Sequence, residues 1–136
     1  MSRVFVDTGW FVAERSPMDA NHQAARIALT ELARETVELV TTNYVFAETY
    51  VAILVRAGRE RAIEWGEQLR ASDKVETVRV DPDLEDGAWS LLRSRADKRW
   101  SFVDATSFAL MERDGVTEAL TFDRHFAQAG FKMLPA

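Results

Sequence analysis

Apolar residues in this chain fall alternately into short unbroken runs and into helical spacing, and that alternation sets the expected element order. Val4 to Val6 is an apolar triplet closed by Asp7, as a short buried strand would read, and Thr8-Gly9 begins the next element. Ala24, Ile27, Ala28 and Leu32 recur at helical spacing, which predicts a helix over about 21–34. Leu39 to Thr42 reads as a strand. Asn43 to Arg56 is apolar on most sides, so the pattern predicts a helix near the centre of the molecule, with Asn43 as N-cap and Gly58 as stop. Over 59–71 the faces separate: Ala62, Ile63 and Leu69 inward, Arg59, Glu60, Glu67 and Arg70 outward.

Val75 to Val80 alternates polar and apolar positions, the mark of a half-exposed strand. Pro82 suits a first helical turn, and Ala88, Trp89, Leu91 and Leu92 supply the expected buried face of a helix ending near Ala96. Arg93 to Arg99 is densely charged and reads as a surface loop. Ser101 to Arg113 is expected as a largely buried helix stopped near Gly115, followed by a strand at 119–121, a helical turn or two over 123–129, and a last strand at 131–134. Strands alternating with helices predict an α/β fold with a parallel sheet.

Composition narrows the chemistry. With 136 residues the chain fits one domain, 1–136, and the absence of cysteine removes disulfides, thiolate metal sites and thiol nucleophiles. The N-terminus lacks a basic flank before an apolar core, and no stretch reaches transmembrane length, so a soluble cytoplasmic protein without a membrane partner is expected. The net charge is −5, from 22 acids against 17 Lys and Arg, which argues against a protein that coats nucleic acid broadly. A phosphodiester held locally at a cation-bearing acidic pocket stays open.

The acids are distributed in a telling way. Asp7 is the only charge from Val4 to Ala13, Glu48 the only one from Leu39 to Val55, and Asp104 the only one from Trp100 to Met111; Asp123 follows the short strand. A carboxylate in an apolar segment loses hydration when that segment packs, and the loss persists only where something compensates it. In an open parallel sheet, strand C-termini and helix N-termini share one edge, so all four acids can meet there. A hard divalent cation with oxygen ligands, Mg²⁺ or Mn²⁺, is the shared compensator.

Each acid also has a capping or pairing role open to it. Asp7 and Asp123 can cap the helices that follow, and Ser101 with Asp104 matches a capping box. Glu48 lies past the first turn of its helix, where a buried Arg partner can satisfy it instead. Arg124 and His125 are candidate phosphate contacts, though adjacent residues on a short helix point apart. His22 has no second histidine at ligand spacing. Trp10, Trp65, Trp89 and Trp100 read as core or interface residues before base-stacking ones, with Trp10 and Trp100 nearest the acids in sequence.

Val6-Asp7-Thr8-Gly9, Thr42-Asn43-Tyr44-Val45-Phe46-Ala47-Glu48-Thr49, Ser101-Phe102-Val103-Asp104-Ala105-Thr106-Ser107 and Leu120-Thr121-Phe122-Asp123-Arg124-His125-Phe126 stand in an order that resembles the PIN-domain family, most closely its VapC-type ribonuclease toxins. The resemblance spans nearly the whole chain. It implies a three-layer α/β/α domain with a central parallel sheet, Mg²⁺- or Mn²⁺-dependent endoribonuclease activity on RNA, homodimerisation, and inhibition by a cognate antitoxin protein. It further implies that Asp7, Glu48, Asp104 and Asp123 form the catalytic, metal-holding quartet, supported by Thr8, Asn43 and Thr121.

Two other functions compete. An aspartate-based phosphatase with Asp7 as nucleophile usually carries a second Asp two residues on, and Gly9 stands there. A noncatalytic module with the same fold is the other alternative, against which the four retained acids speak.

Overall fold

A computed structural model describes residues 2–135 and arranges them as β1 (Ser2–Val6), α1 (Thr8–Arg15), α2 (His22–Leu32), β2 (Val37–Thr42), α3 (Asn43–Ala57), α4 (Arg59–Ala71), β3 (Val75–Val78), α5 (Pro82–Ser94), α6 (Phe102–Asp114), β4 (Glu118–Leu120), α7 (His125–Gln128) and β5 (Lys132–Leu134). The five strands form one sheet in the order β3-β2-β1-β4-β5, every pair parallel. Helices flank the sheet. They fall into two packed groups, α1 to α4 on one another and α5 on α6.

Burial explains the order. Val4, Phe5 and Val6 are all buried, so β1 is covered on both faces, as a central parallel strand must be. Phe5, Phe108 and Phe126 pack as one aromatic group, with Phe108 set edge-on to Phe126 at 4.9 Å between centroids. On the other helix group, Trp65 packs edge-on to Phe11 at 5.3 Å and beside Phe46 at 5.1 Å. Trp10, Trp65 and Trp100 are all buried and belong to the core.

Helix ends follow from local chemistry. Gly58 sits at φ 96° between α3 and α4, and Gly115 at φ 67° closes α6 in the left-handed region, where a Cβ is unfavourable. The N-cap of α3 is Thr42, not Asn43: the Thr42 hydroxyl oxygen accepts the Val45 N–H at 3.0 Å. Asn43 is the first helical residue, and its Oδ1 accepts the Val80 N–H at 2.7 Å, tying α3 to the segment after β3.

The apolar pattern misplaced several faces. Helix α3 is not central: Val45, Thr49 and Ile53 are buried, but Val51, Leu54 and Val55 are exposed. Ile27 on α2 and Trp89 on α5, both expected inward, are also exposed. A helical period assigns an apolar stripe without saying how wide the covered part is. Among the described residues no helix is long and apolar enough to cross a membrane.

Candidate active site

The chain runs from β1 to β2 to β3 in one direction along the sheet and then crosses to β4 and β5 on the other side. Open parallel sheets offer a crevice where the order reverses, outside the strand C-termini, and here that point lies between β1 and β4. Asp7 directly follows β1, Thr121 to Asp123 follow β4, Asp104 lies in the first turn of α6, and Glu48 lies in the second turn of α3. Asp7, Thr8, Gly9, Glu48, Asp104, Phe122, Asp123 and Arg124 line one open cleft of about 450 Å³. A roomier cavity of about 580 Å³, beside Asn43, Arg70 and Arg79, has no carboxylate in its wall. Chemistry, not volume, selects the acidic cleft.

Asp7 is the buried centre of the group. The Thr121 hydroxyl donates to Asp7 Oδ2 at 2.9 Å and accepts the Asp123 N–H at 3.0 Å, so one side chain links the ends of two neighbouring strands. Burial pushes the Asp7 carboxyl up to about 7 from an ordinary 3.8; the Thr121 hydroxyl and Thr8 amide pull it down, and the Asp104 and Asp123 charges push it further up. Asp7 occupies the N-cap position of α1 without a side-chain cap bond, so the capping explanation fails for it. The Thr8 hydroxyl oxygen accepts from the Thr49 hydroxyl at 3.3 Å.

Asp104 does two things at once. The capping box is present: Ser101 Oγ accepts the Asp104 N–H at 3.0 Å, and Asp104 Oδ2 accepts the Ser101 N–H at 3.1 Å. That leaves Oδ1 without a hydrogen bond among the described residues. Asp123 Oδ1 accepts the His125 N–H at 2.9 Å, which fixes the turn into α7. Glu48 departs from expectation, because it is exposed at the rim of the cleft and has no Arg partner among the described residues. Helix α3 buries its Thr49 face and leaves the preceding position to solvent.

His125 is expected from the sequence only as a candidate phosphate contact. In the structure its ring sits between two acids, and Asp104, Asp123 and His125 each offer a ligand atom within 4.8 Å of the others. The turn Asp123-Arg124-His125 after a strand is the only local signal for this. Asn43 lies outside the cleft, and its side-chain oxygen is already engaged. Arg124 reaches the cleft and forms no ion pair among the described residues.

The donor set fits a hard divalent ion. Asp7 with Asp104 and Asp123, whose charges push the Asp7 carboxyl up, and Glu48 at the rim supply oxygen ligands. Among the described residues no Lys or Arg forms an ion pair with any of the four; only His125 approaches two of them. The negative charge is thus left for a cation. Thr121→Val, which keeps shape and removes the hydroxyl, is expected to lower the unfolding free energy by about 1 to 2 kcal/mol, read from the urea midpoint. No change would show that the Asp7 contact carries no weight.

Comparison with known proteins gives this fold a family. The model of the PIN domain matches residues 4–132. The 23S rRNA-specific endonuclease VapC20 of Mycobacterium tuberculosis (strain ATCC 25618 / H37Rv) is 36% identical over 128 residues, covering 94% of this chain and 95% of its own. The crystal structure of Mycobacterium tuberculosis VapC20, described as a sarcin-ricin loop cleaving toxin, superposes with a TM-score of 0.87 over 94% of this chain and 95% of that one, at 36% identity. VapBC2 from Rickettsia felis, solved bound to a promoter DNA fragment, gives 0.73 at 10% identity over 96% of each chain, a likeness of fold alone.

Proposed function

This chain belongs to the PIN domain family, and we propose that it is a divalent-metal-dependent endoribonuclease, the toxin of a toxin-antitoxin pair, with residues 1–136 forming one catalytic domain. One observation carries the reading: four acids from four separate elements line a single cleft, and no Lys or Arg neutralises them among the described residues. Similarity to an enzyme that acts on 23S rRNA supports a structured ribosomal RNA loop as the substrate class. A substrate of that kind supports a cytoplasmic location.

In this reading Asp7, Asp104 and Asp123 hold Mg²⁺ or Mn²⁺, and Glu48 reaches in from the rim. The ion, when bound, supplies charge neutralisation at the scissile phosphate and acidifies an attacking water. The chain's own residues do the rest. Thr121 fixes the Asp7 carboxylate, the capping box fixes Asp104, and Arg124 offers a guanidinium to the phosphate. Thr8 and Gly9 keep the wall beside Asp7 small enough for the backbone of a substrate to approach.

The antitoxin and a second copy of the chain are the proposed protein partners. Exposed apolar side chains on α2 and α3, among them Ile27, Val51 and Val55, support contact with other proteins. The decisive experiment offers the purified protein a stem-loop RNA taken from 23S rRNA, with Mg²⁺ or with a chelator. Cleavage at a defined position that stops when the ion is removed is the expected result. Intact RNA in both arms, or equal cutting in both, would end the metal-nuclease reading.

A further inference from the structure

One histidine engages two of the acids with two different donors. The His125 N–H donates to Asp123 Oδ1 at 2.9 Å, and its ring Nδ1 lies 3.1 Å from Asp104 Oδ2 and 3.5 Å from Asp123 Oδ1. Asp104 belongs to α6 and Asp123 to the turn after β4, so no backbone element holds the two together. Ligand oxygens of the two lie within 4.8 Å, and like charges that close repel.

We propose that His125 is a positioning residue whose Nδ1–H clamps Asp104 to the Asp123 turn and so sets the spacing of the two carboxylates for a cation. The proposal rests on the metal reading above. An ionised carboxylate only accepts, so the contact with Asp104 requires the proton on Nδ1, and a protonated nitrogen is not a metal ligand. His125 therefore does not hold the ion through Nδ1, and its role in the clamp is to space the two carboxylates. Its ring is about one-third exposed, 32% by side-chain area against 12% for Asp104, so the contact orients more than it stabilises. Without it, Asp104 Oδ2 keeps only the Ser101 N–H, and the first turn of α6 loses its side-chain tie to the Asp123 turn.

Partners that orient metal-binding groups in this way change affinity by about 10- to 100-fold when removed. The test titrates the full chain with Mg²⁺ alone and with Mn²⁺ alone, by calorimetry, for wild type, His125→Ala and His125→Asn. It adds the nitrogen-15 spectrum of the histidines in the metal-free protein at pH 8.5. Expected are a proton on Nδ1 in wild type, a loss of about 10-fold or more for both ions in His125→Ala with little change in melting temperature, and recovery of most of that loss in His125→Asn, whose side-chain N–H can take the place of Nδ1–H.

Three results overturn the clamp: Nδ1 without its proton, metal affinity in His125→Ala equal to wild type, or no recovery in His125→Asn. The last of these, with a larger loss for Mn²⁺ than for Mg²⁺, would make His125 a ligand through nitrogen. Wild type binding neither ion while Nδ1 stays protonated would refute the metal reading and support the tie between α6 and the α7 turn.

Discussion

Asp7→Asn is expected to lose RNA cleavage by about a thousandfold or more, the rate equivalent of several kcal/mol of electrostatic stabilisation, while its metal-free form should resist urea better than wild type at pH 8. Both halves follow from the same burial. Asparagine keeps the shape and an oxygen for the Thr121 hydroxyl, so the contact at 2.9 Å survives. What disappears is a charge that the fold strains to keep. The Asp7 carboxyl moves from 3.8 to about 7 on folding, which amounts to a cost of about 4 kcal/mol when the group is ionised and no cation is present. Removing the charge removes that cost at pH 8 and has little effect near pH 4, where the folded state keeps its proton. Single-turnover cleavage and urea unfolding at the two pH values check the pair of effects. A variant that is both inactive and less stable at pH 8 would mean that Asp7 is a structural group after all.

The second large effect is the exchange of a proton for a cation. For a carboxyl raised on folding, the folded state holds its proton longer, so the stability attached to that proton is fully present below 3.8 and is lost as pH rises through about 7. Metal-free wild type should therefore lose stability across that window. Mg²⁺ at about 100 times its dissociation constant should return about 2.7 kcal/mol at pH 8, and much less at pH 5, where protons compete for the same oxygens. In Asp7→Asn both the slope from this group and most of the response to the ion should vanish. Melting temperatures with Mg²⁺ or with chelator, at pH 5 and pH 8, measure this directly. Identical values at pH 8 with and without the ion would contradict a cation site at these acids.

Legibility in the sequence tracked the range of the interactions. Helix α4 falls over Arg59–Ala71 as its two faces predict, and α6 begins after Ser101 because its capping box is encoded within four residues. The isolated-acid argument succeeds for Asp7 and Asp104, which are 6% and 9% exposed, because their segments pack on all sides. It fails for Glu48, because an apolar helix can still turn one face to water. The Thr121 contact with Asp7 joins residues 114 positions apart, and the His125 contact with Asp104 joins residues 21 apart. Thr121 entered through the family resemblance, and His125 had no spacing partner to mark it. Trp89, 57% exposed on α5, shows the same limit from the other side: an apolar period does not tell core from a surface kept for something else.

The neighbouring placement of β1 and β4 also bears on how such a chain is made. Translation delivers Asp7, then Glu48, then Asp104, and only after α6 does it reach Thr121 and Asp123. A nascent polypeptide still lacking β4 has neither the hydroxyl that holds Asp7 nor the last acid of the cleft. On the proposed reading, the acidic cleft of an RNA-cutting protein assembled on this plan would be incomplete beside the ribosome that is synthesising it, and would close only once the final strands have emerged and docked.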